Sequence, residues 1–83
     1  MKAIFIESTD FTEWVVDHLP DHVYADLQNE LMENPEKGDV IKGCSGLRKV
    51  RAIDPKRQKG KRGGIRIIYL YVPEAKWFYM LDI

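Results

Sequence analysis

The chain has a single cysteine, no long apolar run and few residues that break regular structure. With Cys44 alone it can form neither an intrachain disulfide nor a zinc site built from several thiolates, which is typical of proteins in a reducing compartment. The longest apolar run, IIYLYV at 67–72, is too short to cross a membrane, and the N-terminus lacks the apolar stretch of a signal peptide. Six glycines and four prolines are too few for a disordered chain. We therefore expect a soluble, cytoplasmic protein with no membrane partner.

The chain length of 83 residues predicts one domain over 1–83. A chain this short buries about 60% of the surface that its unfolded form exposes, so its core is modest. The sequence shows no internal repeat and no linker that would divide it. We therefore expect little room for a deep pocket.

The formal net charge is zero, but opposite charges are concentrated in opposite halves of the chain. Residues 1–39 carry ten acidic side chains against two lysines, whereas residues 40–83 carry eleven basic side chains against three acidic ones. Ten of those eleven bases lie within 42–66. Such clustering predicts a surface that attracts a polyanion. The alternative is that the acidic helices simply neutralise the basic strands.

Two helices are predicted in the acidic half of the chain, after a first strand over 2–7. Residues 11–19 place apolar side chains at helical spacing, and the Ser, Thr and Asp at 8–10 can supply the N-cap oxygen. A proline ends this helix. Asp21 is then expected to cap a second helix that runs to about Glu33.

Three strands rich in β-branched and aromatic residues are predicted after a turn at 34–39. They cover 47–53, 65–72 and 76–83, and the short sequence PEA between the last two predicts a hairpin connection. The order β-α-α-β-β-β predicts an α+β fold. In this fold the two N-terminal helices pack on one face of a mainly antiparallel four-stranded sheet, and the other face stays open.

Basic side chains recur on the predicted strands of the second half. Alternation places Lys49 and Arg51 on one face of their strand, about 7 Å apart. A hairpin between this strand and the next would bring Arg66 alongside them. Arginine offers a planar fork of donors to phosphate oxygens, and lysine offers a compact positive charge. These three residues are therefore the candidate site for a phosphodiester.

A basic, glycine-rich segment lies directly before the strand that carries Arg66. Gly60, Gly63 and Gly64 allow the backbone to approach a phosphate closely, with N–H groups as extra donors. We expect this segment to follow a phosphate backbone. The basic side chains expected to contact that backbone are Arg48, Lys56, Arg57, Lys59, Lys61 and Arg62.

The stretch GCSGLRKVRAIDPKRQKGKRGGIRIIYLYV, residues 43–72, resembles the RelE/HigB superfamily of toxins from bacterial type II toxin–antitoxin systems. The likeness is strongest to the HigB-like branch, which carries GLRK-x-R followed by GKRGG-x-R-x-IY, and it extends over essentially the whole chain. It implies one RelE-like toxin domain that enters the ribosomal A site, cuts mRNA and stops translation. It also implies a cognate antitoxin that silences the toxin, with operator DNA reached only through that antitoxin.

The resemblance also implies residue roles. In such toxins the 2′-OH of the substrate attacks the neighbouring phosphate, helped by Lys, Arg and Tyr side chains, with no metal and no other cofactor. Lys49 and Arg51 match the basic pair on the second strand, and Arg66 matches the arginine at the start of the third. Lys49 would act as the base or stabilise charge, and the two arginines would clamp the pentavalent phosphate.

The sequence ends on the predicted fourth strand, whereas the toxins it resembles usually continue into a Gly-Lys-containing segment and a C-terminal helix. That helix often brings a catalytic tyrosine or histidine. The chain is thus expected to be a naturally shortened or degraded member of the superfamily, or a fragment, and a second interpretation of its function stays open. It is a catalytically silent relative that binds RNA, the ribosome or an antitoxin without cutting. Tyr69, Tyr71 and Tyr79 are near enough to substitute, but we expect each to pack in the core or on the sheet.

Other motifs in the sequence carry weaker hypotheses. GKRG at 60–63 and GCSG at 43–46 fit the G-x-x-G of KH domains, but KH domains place that loop between two helices, and here both helices precede it. No Gly-Lys is followed by Ser or Thr, so no Walker A motif is present. A proline separates His18 from His22, and we expect two exposed helix ends and no zinc site. Cys44 is expected to be a turn residue and not a nucleophile.

Overall fold

A computed structural model of the chain describes residues 1–55 and 64–83. Within these ranges one strand is followed by two helices and then by four strands. The elements are β1 Ile4–Glu7, α1 Thr9–His18, α2 Asp21–Glu33, β2 Asp39–Val40, β3 Arg48–Ala52, β4 Ile65–Val72 and β5 Trp77–Asp82. The predicted α+β class is confirmed, and both helices precede the strands on which the cations lie.

The strands form one five-stranded sheet in the order β1-β5-β4-β3-β2. All neighbours are antiparallel except β1 and β5, which are parallel. The prediction of four strands is wrong by one, because β2 has two residues, too few for alternation to reveal, and pairs with the start of β3. The predicted hairpin between the last two strands is confirmed as a turn at 73–76, where the Lys76 N–H donates to the Pro73 carbonyl at 3.3 Å.

Both helices pack on one face of the sheet, as predicted. Helix α1 contacts β5 and helix α2 contacts β3. Phe11 and Leu31 from the helices share one buried core with Ile67 and Phe78 from the strands. Neither helix is long and apolar enough to cross a membrane, and the described ranges contain no other helix. We call this side the helix-covered face; its strand residues include Val50, Ala52, Ile67, Tyr69, Phe78 and Met80.

The intervening strand residues point to the other side of the sheet, which we call the open face. Period-two alternation and the strand register assign them. They are Asp39 on β2, Lys49 and Arg51 on β3, Arg66, Ile68, Leu70 and Val72 on β4, and Trp77, Tyr79 and Asp82 on β5. The three cations of this face are exposed, because the helices lie on the opposite side, whereas Ile68 is buried between its neighbours.

Aromatic packing fills the helix-covered face. Phe78 stacks on Phe5 with ring centroids 4.8 Å apart, and it tilts against Tyr71 at 4.8 Å and Tyr69 at 6.1 Å. Phe78 and Tyr69 are both 0% exposed. Full burial of a side chain of this kind stabilises a fold by about 1.5–3 kcal/mol. This cluster holds β1, β5 and β4 together from the helix-covered side, and the same strands form part of the open face.

Local capping decides where the helices begin. Ser8, one of the three predicted N-cap residues, accepts a hydrogen bond from the Phe11 N–H at 3.0 Å. The prediction for α2 is wrong: Pro20 is the N-cap residue, no side chain caps the helix, and Asp21 is its first residue. Proline suits this entry because its ring fixes φ near the helical value. Asp21 still favours the helix, because a negative charge in the first turn complements the helix dipole.

Candidate nucleic-acid interface

Three cations lie together on the open face of the sheet. Lys49 and Arg51 are exposed on β3, and Arg66 is exposed on β4. The register places Arg51 directly opposite Arg66 and Lys49 opposite Ile68. Cross-strand partners have Cβ atoms about 5 Å apart, so the three basic groups share one small surface. We call Lys49, Arg51 and Arg66 the cationic patch.

The side chains of the cationic patch have no protein partner within the residues that the structure describes. None of them forms a hydrogen bond or an ion pair there. Asp39 lies opposite Lys49 in register, but no ion pair joins the two. Like charges directly opposite each other, such as Arg51 and Arg66, destabilise a sheet by roughly 0.2–1 kcal/mol. An anion between the two guanidinium groups would turn this repulsion into attraction.

Most of the acidic side chains of residues 1–39 lie on the other side of the sheet. Seven of these acids are in the two helices, and the patch is on the face that those helices do not cover. Lys37 and Glu30 form an ion pair at 3.1 Å, but across residues 1–55 and 64–83 no ion pair joins a helix to the cationic patch. The hypothesis of simple neutralisation therefore does not apply to these three cations.

Arg48 precedes the patch by one residue and points to the helix-covered face. Its Nη1 donates to the Gly38 carbonyl at 2.8 Å and to the Glu36 carbonyl at 3.3 Å. The side chain is half-buried, and in register Arg48 pairs with Tyr69. The guanidinium therefore holds the turn before β2 against the sheet. Because neighbouring strand residues point to opposite faces, Arg48 lies on the other side of the sheet from Lys49 and the patch. The contact of Arg48 with RNA stays a prediction.

The hydroxyl of Tyr69 holds the same turn. It donates to the Pro35 carbonyl at 2.8 Å and accepts from the Gly38 N–H at 2.9 Å. Burial raises the pKa of Tyr69, and the hydrogen bond from Gly38 and the charge of Arg48 offset part of this shift. The prediction that Tyr69 packs in the core is confirmed, because the ring is fully buried. Its hydroxyl lies on the opposite face from the cationic patch.

The other two tyrosines that were predicted to pack lie on opposite faces. Tyr71 is on the helix-covered face against Phe78, and Tyr79 is on the open face against Trp77. Both tyrosines are half-buried. The position of Trp77 and Tyr79 on the same face as the predicted site was missed. The signal was present, because residues 77 and 79 are two apart in a strand and so share a face.

The basic segment between β3 and β4 lies outside the described residues. Its predicted role in binding RNA stays a prediction from the sequence. The strands that it joins end at Ala52 and begin at Ile65, next to Arg51 and Arg66 of the cationic patch. The residues concerned are Lys56, Arg57, Lys59, Gly60, Lys61, Arg62 and Gly63.

The structure shows where the other sequence motifs lie. Residues 43–46 form a turn between β2 and β3, with φ of 76° at Gly43 and 90° at Gly46, so this G-x-x-G lies between strands and not between helices. Cys44 is in this turn, as predicted. His18 and His22 are exposed at helix ends. Among the residues with described positions, no group of three or more His, Cys, Asp or Glu side chains could hold a metal ion.

A cavity of about 360 Å³ lies between α2 and the end of β3. Val23, Leu27 and Ala52 line it, together with His22 and Asp26 from α2. The described part of its lining includes no residue of the cationic patch. The patch is therefore an open surface, which suits an extended polymer better than a small molecule.

No family model matches the chain. A function must therefore be argued from the cationic patch and from the sequence motifs that supply its residues. The two halves of the motif, GLRK-x-R and GKRGG-x-R-x-IY, lie on β3 and immediately before and along β4. The antiparallel pairing of these strands brings Lys49 and Arg51 of the first half beside Arg66 of the second.

Proposed function

We propose that this chain is a toxin of the RelE/HigB type, the toxin component of a type II toxin–antitoxin system. Its activity is the ribosome-dependent cleavage of mRNA without a metal, and a cognate antitoxin silences it. The cationic patch carries the proposal, because two of its three exposed cations face each other across β3 and β4 without a described partner. The resemblance of residues 43–72 to these toxins supports the same function.

A phosphodiester is the ligand that suits the patch. Arg51 and Arg66 project from adjacent strands, and each guanidinium can donate two parallel hydrogen bonds to phosphate oxygens. These donors stabilise the pentavalent phosphate more strongly than the ground state, because more negative charge has built up on its oxygens. The open face also leaves room for a chain that continues on both sides of the phosphate, as mRNA does.

In the proposed reaction the RNA supplies its own nucleophile. The 2′-oxygen forms a bond to the adjacent phosphorus, and the bond from phosphorus to the 5′-oxygen breaks. The products are a 2′,3′-cyclic phosphate and a 5′-hydroxyl, whose proton comes from water. Lys49 takes up the proton of the 2′-OH or, as the ammonium, neutralises the phosphorane, while Arg51 and Arg66 hold the phosphate oxygens.

The same patch supports a second function, the binding of RNA, the ribosome or an antitoxin without cleavage. Among the described residues, no tyrosine or histidine adjoins the three cations to protonate the leaving oxygen. Tyr69 and Tyr71 lie on the other face, and Tyr79 pairs with Leu70, roughly 14 Å along β4 from Arg66. A silent relative would keep the affinity for phosphate and lack the rate enhancement.

Cell-free translation separates the two functions. The purified chain is added to a translation reaction with and without ribosomes, and the ends of the mRNA are mapped. The toxin should give ribosome-dependent cuts, and a Lys49→Ala, Arg66→Ala chain should lose them by about 10²-fold or more. The matched control is Lys2→Ala, Lys42→Ala, which removes the same charge from exposed positions outside the patch and should keep the activity.

Lys49→Arg sharpens the same experiment. It keeps the positive charge, but an arginine does not give up its proton in a protein. Ribosome binding should therefore survive in this variant, while cleavage that needs a lysine should fall. A wild-type chain that binds ribosomes and makes no cuts would establish the silent function. A chain that neither cuts nor binds ribosomes or RNA would refute the toxin and the silent binding of RNA or the ribosome, and would leave only the antitoxin as a partner.

A further inference from the structure

The open face carries two aromatic rings at the end of the sheet away from the cationic patch. The register places Tyr79 beside Leu70 and Trp77 beside Val72. The two rings meet edge to face, with centroids 6.0 Å apart and planes at 85°. Both side chains are only half-buried, so part of each ring is accessible. We call Trp77 and Tyr79 the aromatic pair.

The surroundings of the aromatic pair are apolar and partly exposed. Ile4, the register partner of Trp77 on β1, is 57% exposed, and Ile6 is the partner of Tyr79. Leu70, which is half-buried, and Ile68, which is buried, lie between the aromatic pair and Arg66 along β4. Accessible aromatic rings beside an exposed apolar side chain mark a candidate binding surface. This surface lies on the same face of the sheet as the cationic patch.

We infer that the aromatic pair is a stacking site for a base of single-stranded RNA whose phosphates lie on the cationic patch. The inference rests on the proposed function, since it requires RNA on the open face. Small sheets that bind single strands use aromatic side chains to stack the bases and cations to hold the backbone. Trp77 and Tyr79 supply the first element, and Lys49, Arg51 and Arg66 supply the second.

The spacing on the sheet fits a short stretch of RNA. Leu70, the partner of Tyr79, is four residues from Arg66, or roughly 14 Å along β4. Tyr79 on β5 and Lys49 on β3 are two strands apart, which is about 10 Å across the sheet. About four nucleotides, the lower end of single-strand site sizes, can span this distance. The stacked base thus lies a few nucleotides from the reacting one, and the aromatic pair contributes affinity, not chemistry.

Charge favours RNA over a second copy of this chain as the occupant. A two-fold dimer through the open face would use the same surface of both chains. It would bring two sets of unpaired cations into one interface, and like charges brought together oppose association. A polyanion on the open face instead neutralises the cations and so removes the repulsion between them. The charge of the face and its partly accessible rings therefore indicate the same ligand.

Tryptophan fluorescence tests the stacking, because the two tryptophans of the chain lie on different layers. Trp14 is on α1 and 38% exposed, whereas Trp77 is on the open face. In a Trp14→Phe chain, a uridine octamer should quench the emission of Trp77 at saturation. In a Trp77→Phe chain, the same octamer should leave Trp14 unchanged. If the octamer binds without quenching Trp77, the stacking site is refuted.

Substitutions of Tyr79 separate stacking from packing. Tyr79→Leu keeps an apolar side chain without a ring, and Tyr79→Phe keeps the ring. The leucine variant should bind the octamer about 5- to 150-fold more weakly, and the phenylalanine variant should bind it like the wild type. Inorganic polyphosphate has phosphates and no bases, so it should bind all three chains equally. Equal losses for polyphosphate and the octamer in the leucine variant would overturn the stacking site.

The result for the cations tells the two proposals apart. Octamer binding that is insensitive to Lys49→Ala, Arg66→Ala would remove RNA from the open face and overturn both proposals. Octamer binding that needs these cations but tolerates Tyr79→Leu would overturn the stacking site alone. Self-association in sedimentation equilibrium that Tyr79→Leu abolishes would assign the face to a second copy, which also overturns the inference.

Discussion

The two faces of the sheet use polar side chains in opposite ways. On the helix-covered face, Arg48 and the hydroxyl of Tyr69 are engaged by backbone groups of residues 35–38. On the open face, Lys49 and Arg66 have no partner in the part of the chain that the structure describes. Arg48 and Lys49 are adjacent in sequence, yet one serves the fold and the other belongs to the proposed site.

This difference shows which polar groups the fold needs. Loss of a side chain that satisfies a buried backbone group leaves that group without a partner, which costs about 1–3 kcal/mol. Loss of an exposed, unpaired cation leaves no backbone group unsatisfied. Substitutions on the helix-covered face should therefore change stability, and substitutions in the cationic patch should change binding. Equal effects of the two kinds of substitution on the free energy of unfolding and on binding would show that the two faces do not differ in this way.

The largest effect on stability is expected from Tyr69→Phe. It removes the partner of the buried Gly38 N–H and of the Pro35 carbonyl, and the free energy of unfolding should fall by about 1–3 kcal/mol in urea denaturation. The matched control is Tyr71→Phe, on the same strand and face. The Tyr71 hydroxyl only approaches the sulfur of Met1, at 3.9 Å, so its loss should change stability by less than about 0.5 kcal/mol. Equal effects would show that the turn does not depend on the Tyr69 hydroxyl.

A smaller effect is expected at alkaline pH from Tyr24, which donates to the Glu7 carboxylate at 2.7 Å. Burial, and then the hydrogen bond and charge of Glu7, raise the pKa of Tyr24. The folded chain therefore keeps this proton above pH 10, while the unfolded chain releases it near its usual value of about 10. The contribution of Tyr24 to the free energy of unfolding is thus fully present below pH 10 and falls as the pH rises further.

Tyr24→Phe isolates this contribution. Urea denaturation from pH 8 to pH 11 should show the wild type losing stability faster than the variant above pH 10, by at most about 1.4 kcal/mol per pH unit. The slope should be smaller than this limit, because the side chain is only half-buried. Lysines, the cysteine and the other tyrosines titrate in both chains and cancel in the difference. Parallel curves above pH 10 would contradict the raised pKa.

Local pattern was enough to predict the strands that carry the cationic patch. Strand β4 has its predicted bounds, because a run of β-branched and aromatic residues ends at Pro73 and begins after Gly64. A period of two places Lys49 and Arg51 on one face whatever the rest of the chain does. The antiparallel pairing of β3 with β4 was then sufficient to bring Arg66 beside them.

Features that depend on distant contacts could not be predicted in the same way. The parallel pairing of β1 with β5 joins Ile4 to Trp77, and no local pattern encodes this partnership. Strand β2 exists only because its two residues reach β3. The role of Arg48 depends on carbonyl groups that the preceding turn presents to it. These features position the site, whereas the chemistry of the site is visible in the sequence.

The smallest effect is a gain in stability from removing charge in the cationic patch. Arg51 and Arg66 face each other without an acidic partner among the described residues, so Arg66→Gln should relieve their repulsion. The free energy of unfolding should rise by about 0.2–1 kcal/mol at low salt, and the gain should shrink in 1 M NaCl, where charges are screened beyond about 3 Å. Lys42→Gln, at an exposed position outside the patch, should show no gain.

A double-mutant cycle decides whether that gain comes from the pair. Arg51→Gln alone should give a similar increase, but the double variant should gain no more than either single one, because the first substitution already removes the repulsion. Additive gains would mean that the two arginines do not interact. The cycle also connects stability to function, since the same substitutions should weaken RNA binding. If neutralising Arg51 or Arg66 raises the free energy of unfolding and weakens RNA binding, the two charges serve binding and lower stability.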